Sequence, residues 1–405
     1  MRGTTETSRG TDHVLTARER HSALIEAMVA DGTLTDPGLI EAFRAVPRHS
    51  FIPDTGASTV RGTTLDATGN PERWLAAVYA DNAIITRVDE GGVPRQRGDE
   101  ATPRTPEAEA ATSSSSAPTV LAQLLGLAEL ADGLRALEIG TGTGWNTALL
   151  AHRLGDGSVD SMEIDPRVAE NARQALSEEG RSPRIVVADG YAGRPESAPY
   201  DRITSTCGVR TLPPSWLEQI RPDGLIVCPW GALEGAGVLA RFECPGDGTA
   251  HGTFHGGVGF VPLRVPGPQA PPVHDSGQQP DEYRLTQEDP IAPLMSFPSA
   301  FALSVMVPDW RVRRRWIGTG SGVWINDRTD ESWVRVYPYG TSWMIEQGGP
   351  RSIWDEFEEA LATWTELAEP PPDRFGISVG DDGTHRTWLD SPEGRSWPVT
   401  PATGR

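Results

Sequence analysis

Between residues 118 and 230 short apolar runs alternate with amphipathic stretches, and this alternation constrains the chain more than any other feature. PTVLAQLLGLAEL leads into RALEIG and WNTALLAHRLG. SVDSMEID is followed by PRVAENARQALSEEG, RIVVADG stands next, and DRITSTC, PPSWLEQIRPDG and LIVCPWG close the series. Short apolar strands alternating with amphipathic helices read as an α/β, doubly wound, Rossmann-like parallel sheet.

The first strand of that series ends in Glu138-Ile139-Gly140-Thr141-Gly142-Thr143-Gly144, directly ahead of a helix. Glycines there let backbone approach a ligand closely and turn N–H groups toward it at a helix N-terminus. The dinucleotide fingerprint is G-x-G-x-x-G, which this spacing does not match. E-x-G-x-G-x-G is instead the form that accompanies S-adenosylmethionine. Glu163, followed by Ile164, ends the next strand about where a ribose-binding carboxylate belongs. Asp189, ending the third, is placed to accept from an adenine amino group, with Gly190 leaving room for the ring. Either acid alone reads equally well as a strand-end residue or helix cap. Together on consecutive strand ends they indicate a nucleoside site.

Composition narrows the chemistry. All 36 cationic residues of the 405-residue chain are arginine, against 56 acids, for a formal charge of -20. A chain without lysine has no Schiff-base lysine, no P-loop lysine and no lysine base; GC-rich codon usage accounts for the bias. Strong net acidity disfavours a nucleic-acid partner. Three cysteines, Cys207, Cys228 and Cys244, leave at least one unpaired. MRGTTETSRGTDHVL has no apolar core, and no run long enough to span a bilayer is present. The expectation is a soluble, cytoplasmic, monomeric protein with no membrane partner. His251, His255 and His274 lack metal-ligand spacing, so no metal is expected.

Five segments are expected: N-terminal helices and a lead-in (1–87), a polar serine-rich loop (88–117), the Rossmann-like core (118–243), a Pro/Gly-rich connection (244–300) and a smaller Trp-rich α+β domain (301–405). Nine of the 13 tryptophans lie in the last segment. They read as a compact core or, alternatively, as an aromatic groove for a peptide. Truncation near residue 300 is expected to leave the cofactor site intact.

LEIGTGTGWNTALLA, SMEIDP, VVADGYAG, APYDRI and WLEQIRPDGLIV, with the upstream VPRHSFIP and the S-S-S-A-P before the first core helix, closely resemble the protein-L-isoaspartate O-methyltransferases. The resemblance spans about residues 20 to 232. It implies nucleoside contacts at Glu138, Gly140, Thr141, Gly142, Gly144, Glu163, Ile164, Asp189 and Gly190. It implies a catalytic segment at Ser114, Ser115 and Ser116, where the family has T-I-S, and a site-closing role for Asp81. Two features depart from the repair enzymes: Thr206-Cys207-Gly208-Val209-Arg210 replaces an A-A-P-like segment, and some 170 residues follow. Both resemble the branch that methylates an aspartate in ribosomally made modified peptides (graspetide, lasso or lanthipeptide). IWDEFEEALATWTE, DRFGISV and DSPEGRSWPV are most similar to the graspetide-associated members.

A carboxylate is ionised at neutral pH and needs no strong base to attack a sulfonium methyl, so positioning carries the catalysis. Ser116 would orient the carboxylate, or only cap the helix starting near Pro118. Cys207, Gly208, Val209 and Arg210 would contact the peptide. Arg210 would pair with its carboxylate or stand as a surface arginine, and Cys207 reads more as packing than as a nucleophile. His49 reads as structural. Three functions are compared: methylation of a cyclised peptide followed by aspartimide formation, isoaspartate repair, and a peptide-binding module with a degenerate methyltransferase domain.

Overall fold

A computed structural model describes residues 15–90, 109–231, 237–264, 277–317, 320–327 and 331–399. Helices α1 (Ala17–Ala30) and α2 (Pro37–Ala45) open it. Thr16 and Glu19 cap each other's backbone N–H at the start of α1. Asp36 accepts from Leu39 N–H ahead of Pro37 in α2. After β1 (Thr55–Thr59), β2 (Thr64–Asp66) and α3 (Pro71–Val78) come β3 (Ile84–Glu90) and β4 (Glu109–Ser115). These strands make an antiparallel sheet in the order β2-β1-β3-β4.

The serine-rich stretch expected as a loop over 88–117 is therefore strand at both ends; 91–108 lie outside the described residues. Ser113 and Ser115 are buried, while Ser114 and Ser116 are part-exposed. With serine on both faces, a period of two carries no apolar contrast to read.

The core follows its expected course: α4 (Pro118–Leu127), β5 (Ala136–Ile139), α5 (Trp145–Leu154), β6 (Val159–Glu163), α6 (Pro166–Glu178), β7 (Arg184–Val187), β8 (Tyr200–Ser205), α7 (Pro214–Gln219) and β9 (Ile220–Trp230). The strands pair in parallel in the order β7-β6-β5-β8-β9. From β5 the chain winds outward to β7 and then returns to the other side of β5 for β8. That reversal opens a crevice between the carboxyl ends of β5 and β8.

β10 (Gly237–Cys244) and β11 (Ala250–Val258) continue the sheet antiparallel. The stretch expected as a connection over 244–300 thus contains a central strand, followed by β12 (Glu282–Thr286), α8 (Ala292–Met295) and the start of α9 (Phe297–Met306). In AHGTFHGGV the buried positions are Ala250, Gly252, Phe254 and Val258, and glycine and histidine hide the alternation.

Next come β13 (Trp310–Ile317), β14 (Gly320–Asp327), β15 (Trp333–Tyr339), β16 (Ser342–Gly348) and α10 (Ile353–Glu366). They form the expected Trp-rich unit, a sheet ordered β12-β16-β15-β14-β13. The domain drawn over 301–405 does not hold as one body. β17 (Phe375–Val379), β18 (His385–Leu389) and β19 (Ser396–Val399) leave it and join the free edge of β11, where Gly252 pairs with Ile377. Among the described residues the central sheet has ten strands.

Two apolar layers cover that sheet. Leu121 and Leu125 of α4, Leu149 of α5 and Leu176 of α6 pack with Phe43 of α2 on one side. Trp216 of α7 and Phe301 of α9 pack with Phe375 and Ile377 on the other. A third cluster sets Val323, Ile325, Val334 and Ile345 against Trp354 and Phe357 of α10. Trp310, Trp324, Trp333, Trp354 and Trp364 are buried, so for them the core reading holds; the side chain of Trp316 lies outside the described residues.

Candidate active site

A cleft enclosing about 580 Å³, open mouth included, sits at the β5/β8 switch point. Ile139, Gly140, Gly142, Met162, Glu163, Ile164 and Gly190 form one wall, and Thr206 and Cys207 form its floor. At Gly140 φ is 91°, and a Cβ would stand 2.7 Å from the Cys207 sulfur, so only glycine lets the two loops meet there. The Glu163 carboxylate accepts from Gly142 N–H and from Asp165 N–H, both at 3.0 Å. Burial raises its pKa, which those two hydrogen bonds and the Arg264 charge oppose.

Several residues expected to touch the cofactor lie behind this wall. Glu138 is fully buried, accepting from Asn146 Nδ2 at 2.8 Å and from the Thr147 hydroxyl at 2.5 Å. Burial pushes its pKa up to about 7, against the hydrogen bonds that hold it down. It ties the loop to α5 and does not line the cleft. The Thr141 hydroxyl pairs beneath the loop with that of Ser161 at 2.6 Å. At Gly144 a Cβ would meet that of Ala172 at 3.2 Å, so this glycine serves the approach of α5 to α6. Part-exposed Asp189 accepts from Tyr191 N–H at 2.9 Å, capping the short turn that starts at Gly190, and Gly190 lines the cleft.

The opposite wall is the end of β4. Thr112, Ser113, Ser114 and Ser116 line the cleft, but Ser115 turns away into the protein. There it meets Arg48, the functional residue that motif reading passed over in favour of its neighbour His49. Arg48 has no exposed surface, and its guanidinium donates to the carbonyls of Val78 (2.7 Å), Asn82 (2.9 Å), Ser115 (3.1 Å) and Ser116 (2.9 Å). Burial brings its pKa down to about 9, although the Asp81 charge opposes this. Asp81 itself accepts from Thr119 N–H at 3.0 Å and from the Thr119 hydroxyl at 2.6 Å, capping α4 rather than lining the cleft. His49 bonds Tyr79, away from the cleft.

In the segment after β8, Cys207 reaches the cleft, and burial pushes its thiol up to about 12, which keeps it protonated. Gly208 and Val209 work through backbone: Gly208 N–H donates to Val261 O at 2.9 Å, and Leu263 N–H donates to Gly208 O at 2.8 Å. Val209 N–H donates to Pro229 O. Arg210 is neither at the surface nor in the cleft; it is buried, and its carbonyl accepts from Trp230 Nε1 at 2.7 Å. The clamp on Gly208 brings in residues not expected at the site. Val261, Pro262, Leu263 and Arg264 complete the cleft, and Arg264 Nη2 donates to Thr112 O at 3.4 Å. No lysine or histidine lines it among the described residues.

A parallel sheet whose switch-point cleft offers glycine backbone on one side and a carboxylate at the next strand end suits a nucleoside with a vicinal diol. Enzymes that draw a methyl group from S-adenosylmethionine on a Rossmann-like sheet are built this way, and this protein is one of them. The model of the Protein-L-isoaspartate(D-aspartate) O-methyltransferase (PCMT) family matches residues 99–265. A protein-L-isoaspartate O-methyltransferase of Thermococcus onnurineus is 40% identical over 36% of this chain and 68% of its own length. Its counterpart in Methanopyrus kandleri is 31% identical over 61% of this chain and 91% of its own. A solved protein-L-isoaspartate O-methyltransferase aligns with a TM-score of 0.49 at 19% identity, covering 92% of this chain and all of that one. The chain belongs to the protein-L-isoaspartate O-methyltransferase family and is an S-adenosylmethionine-dependent carboxyl O-methyltransferase. Among the described residues no helix is long and apolar enough to cross a membrane.

Proposed function

We propose that this enzyme methylates the side-chain carboxylate of an aspartate in a ribosomally made, macrocyclic, graspetide-like peptide. The backbone amide nitrogen that follows then attacks the ester carbonyl, methanol leaves, and an aspartimide remains, which hydrolysis can open to isoaspartate. One observation carries the carboxylate acceptor in this reading. The acceptor side of the cleft presents the Ser114 and Ser116 residues and an arginine, but among the described residues no lysine or histidine. Those groups orient an ion; they do not deprotonate a neutral acceptor.

S-adenosylmethionine, when bound, supplies an electrophilic sulfonium methyl. Glu163 would accept both ribose hydroxyls, Gly140 and Gly142 would pass under the amino-acid portion, and Ile164 and Gly190 would flank the adenine. Glu138, Thr141, Gly144 and Asp189 support these contacts from behind. Ser116 would orient the carboxylate, and Arg48 holds the Ser116 carbonyl so that the serine stays in place. The segment Thr206 to Gly208 and the chain beyond residue 265, past the family match, support a peptide acceptor unlike that of the compact repair enzymes.

The names of the relatives favour a second reading, isoaspartyl peptides as acceptors. Both are tested in one assay. The enzyme and S-adenosylmethionine are offered an isoaspartyl peptide and a cyclic peptide with a normal aspartate, and products are followed by mass spectrometry. Methyl gain followed by methanol loss on the cyclic peptide is expected. Turnover of the isoaspartyl peptide alone would overturn the first reading in favour of the second. Binding of the cyclic peptide without methyl transfer would overturn the first reading as well.

A further inference from the structure

The expected carboxylate partner, Arg210, is buried behind the site, yet the cleft does contain a guanidinium. Arg264 is the one cation, and Glu163 the one acid, among the described residues that line it. Its position is built by backbone. The reciprocal hydrogen bonds of Gly208 with Val261 and Leu263 lash residues 261–263 beside the loop after β8 and carry Arg264 over the opening. From there Nη2 reaches the Thr112 carbonyl on β4, the strand that ends in Ser114 and Ser115 just ahead of Ser116. Guanidinium and serines therefore share one wall, within reach of Glu163, whose carboxyl the Arg264 charge helps to hold down.

We infer that Arg264 binds the carboxylate that receives the methyl group, holding it against Ser116 for attack from the acceptor side. This rests on the carboxyl-acceptor reading above. A planar guanidinium offers two parallel N–H donors that fit a carboxylate and fix its plane. The partnership also distinguishes reactant from product. An acceptor oxygen forms the new bond to the methyl carbon, the sulfonium keeps the electron pair of the broken bond, and the ester that results is neutral. The ester therefore loses the charge-assisted half of its contact with Arg264 and is released.

The test uses the full chain with Arg264→Gln and Arg264→Lys, and whichever peptide the wild type methylates. Arg264 is only partly buried, so neither change threatens folding. For R264Q the KM for peptide should rise roughly 10- to 100-fold, the range of a lost charged hydrogen bond, with a smaller change in kcat. S-adenosylhomocysteine affinity by calorimetry should stay within about two-fold, and R264K should fall between R264Q and wild type. Wild type should also bind the acid peptide better than its methyl ester, and R264Q should lose that preference. An unchanged KM with about tenfold weaker S-adenosylhomocysteine binding would assign the arginine to the donor instead and overturn the inference. An unchanged KM and ester preference would overturn it too. If wild type methylates no carboxyl peptide, the underlying reading fails first, and the assignment falls with it.

Discussion

The two halves of the central sheet are assembled by different rules. In the parallel half each strand is followed by its own crossover, so β5 to β9 come from one continuous stretch. In the antiparallel half the chain leaves the sheet at Val258 and rejoins it at Phe375, after building a second sheet and, among the described residues, helices α8 to α10, of which α9 packs back on the central sheet. The cleft sits where these rules meet. Its glycine-loop wall, from Gly140 to Gly190, belongs to the local half, whereas Val261 to Arg264 follow directly from β11 of the other. A donor site built from local βα units can be kept unchanged while the acceptor side is remade by remote chain.

The sharpest way to break this comparison is to cut the chain after Met306. Were the halves independent, the parallel half would keep its fold and its cofactor. The seam argues otherwise: Phe375, Ile377, Val379, Leu389 and Val399 complete the same apolar layer as Trp216 and Ile226. At about 2 kcal/mol for each buried side chain, their loss is on the order of 10 kcal/mol. That equals the whole stability of an ordinary domain. The truncated protein should show no cooperative melt by circular dichroism and no stabilisation by S-adenosylhomocysteine. A cooperative melt that shifts with ligand as in the full chain would show that the halves separate.

A smaller loss is expected at Arg48, which fastens the acceptor wall from the N-terminal side. Arg48→Ala leaves the Val78, Asn82, Ser115 and Ser116 carbonyls without their donor in a buried place. Water entering the vacated space offsets part of the cost, so the destabilisation is about 3 kcal/mol. Arg48→Lys should be nearly as harmful, since one ammonium cannot span four carbonyls. Denaturant melts measure the stability. Methyl transfer should fall further than S-adenosylhomocysteine affinity, because only the acceptor wall is displaced. An equal fall in both would erase the distinction between the walls.

Glu163→Ala probes the other wall. It should weaken S-adenosylhomocysteine binding roughly 10- to 100-fold, the effect of losing a charged acceptor to two hydroxyls. Thermal stability in the absence of ligand should hardly change, because burial already disfavours the charged form. Calorimetry on the variant decides it; unaltered affinity would place the ribose elsewhere.

The unequal legibility of the two halves has the same origin. Strands such as 136–139 and 159–163 stand beside the helices that cover them, so local contrast in apolarity reveals them. Glycine and histidine obscure β11, and β17 carries no mark of its partner more than a hundred residues upstream. Gly140, Gly142, Glu163, Ile164, Gly190, Ser114 and Ser116 come together along one cleft because they stand at or beside strand ends, which the sequence pattern marks. Glu138, within the same motif, faces α5 instead, since neighbours on a strand alternate sides. Ser115 differs from Ser116 for that reason. Arg264 could not be told from other arginines, because the Gly208 clamp that positions it is a tertiary contact.

The smallest effect expected concerns an imidazole that stitches the halves together. His385 on β18 accepts from Leu212 N–H through Nε2 at 2.9 Å, and its Nδ1 meets the Gly383 carbonyl at 2.9 Å. The first bond needs a bare Nε2, so the neutral ring with its proton on Nδ1 is the folded form. Burial lowers the pKa from its ordinary value of 6.5. The unfolded chain therefore takes up the proton first as pH falls, and stability present above about 6.5 is lost as pH drops through the folded value. His21 and His49, whose pKa values burial also lowers, add to the same slope from the N-terminal side. His385→Gln keeps an acceptor for Leu212 but cannot titrate. It should cost about 1 kcal/mol or less at pH 8 and gain stability relative to wild type as pH drops from about 7 to 5, a window in which the raised Glu138 acts in the opposite sense to the histidines. Denaturant melts across that range measure both. An unaltered difference from wild type would mean that the seam at Leu212 does not sense pH and that other buried groups, among them His21, His49, His152, His255 and Glu138, set the dependence.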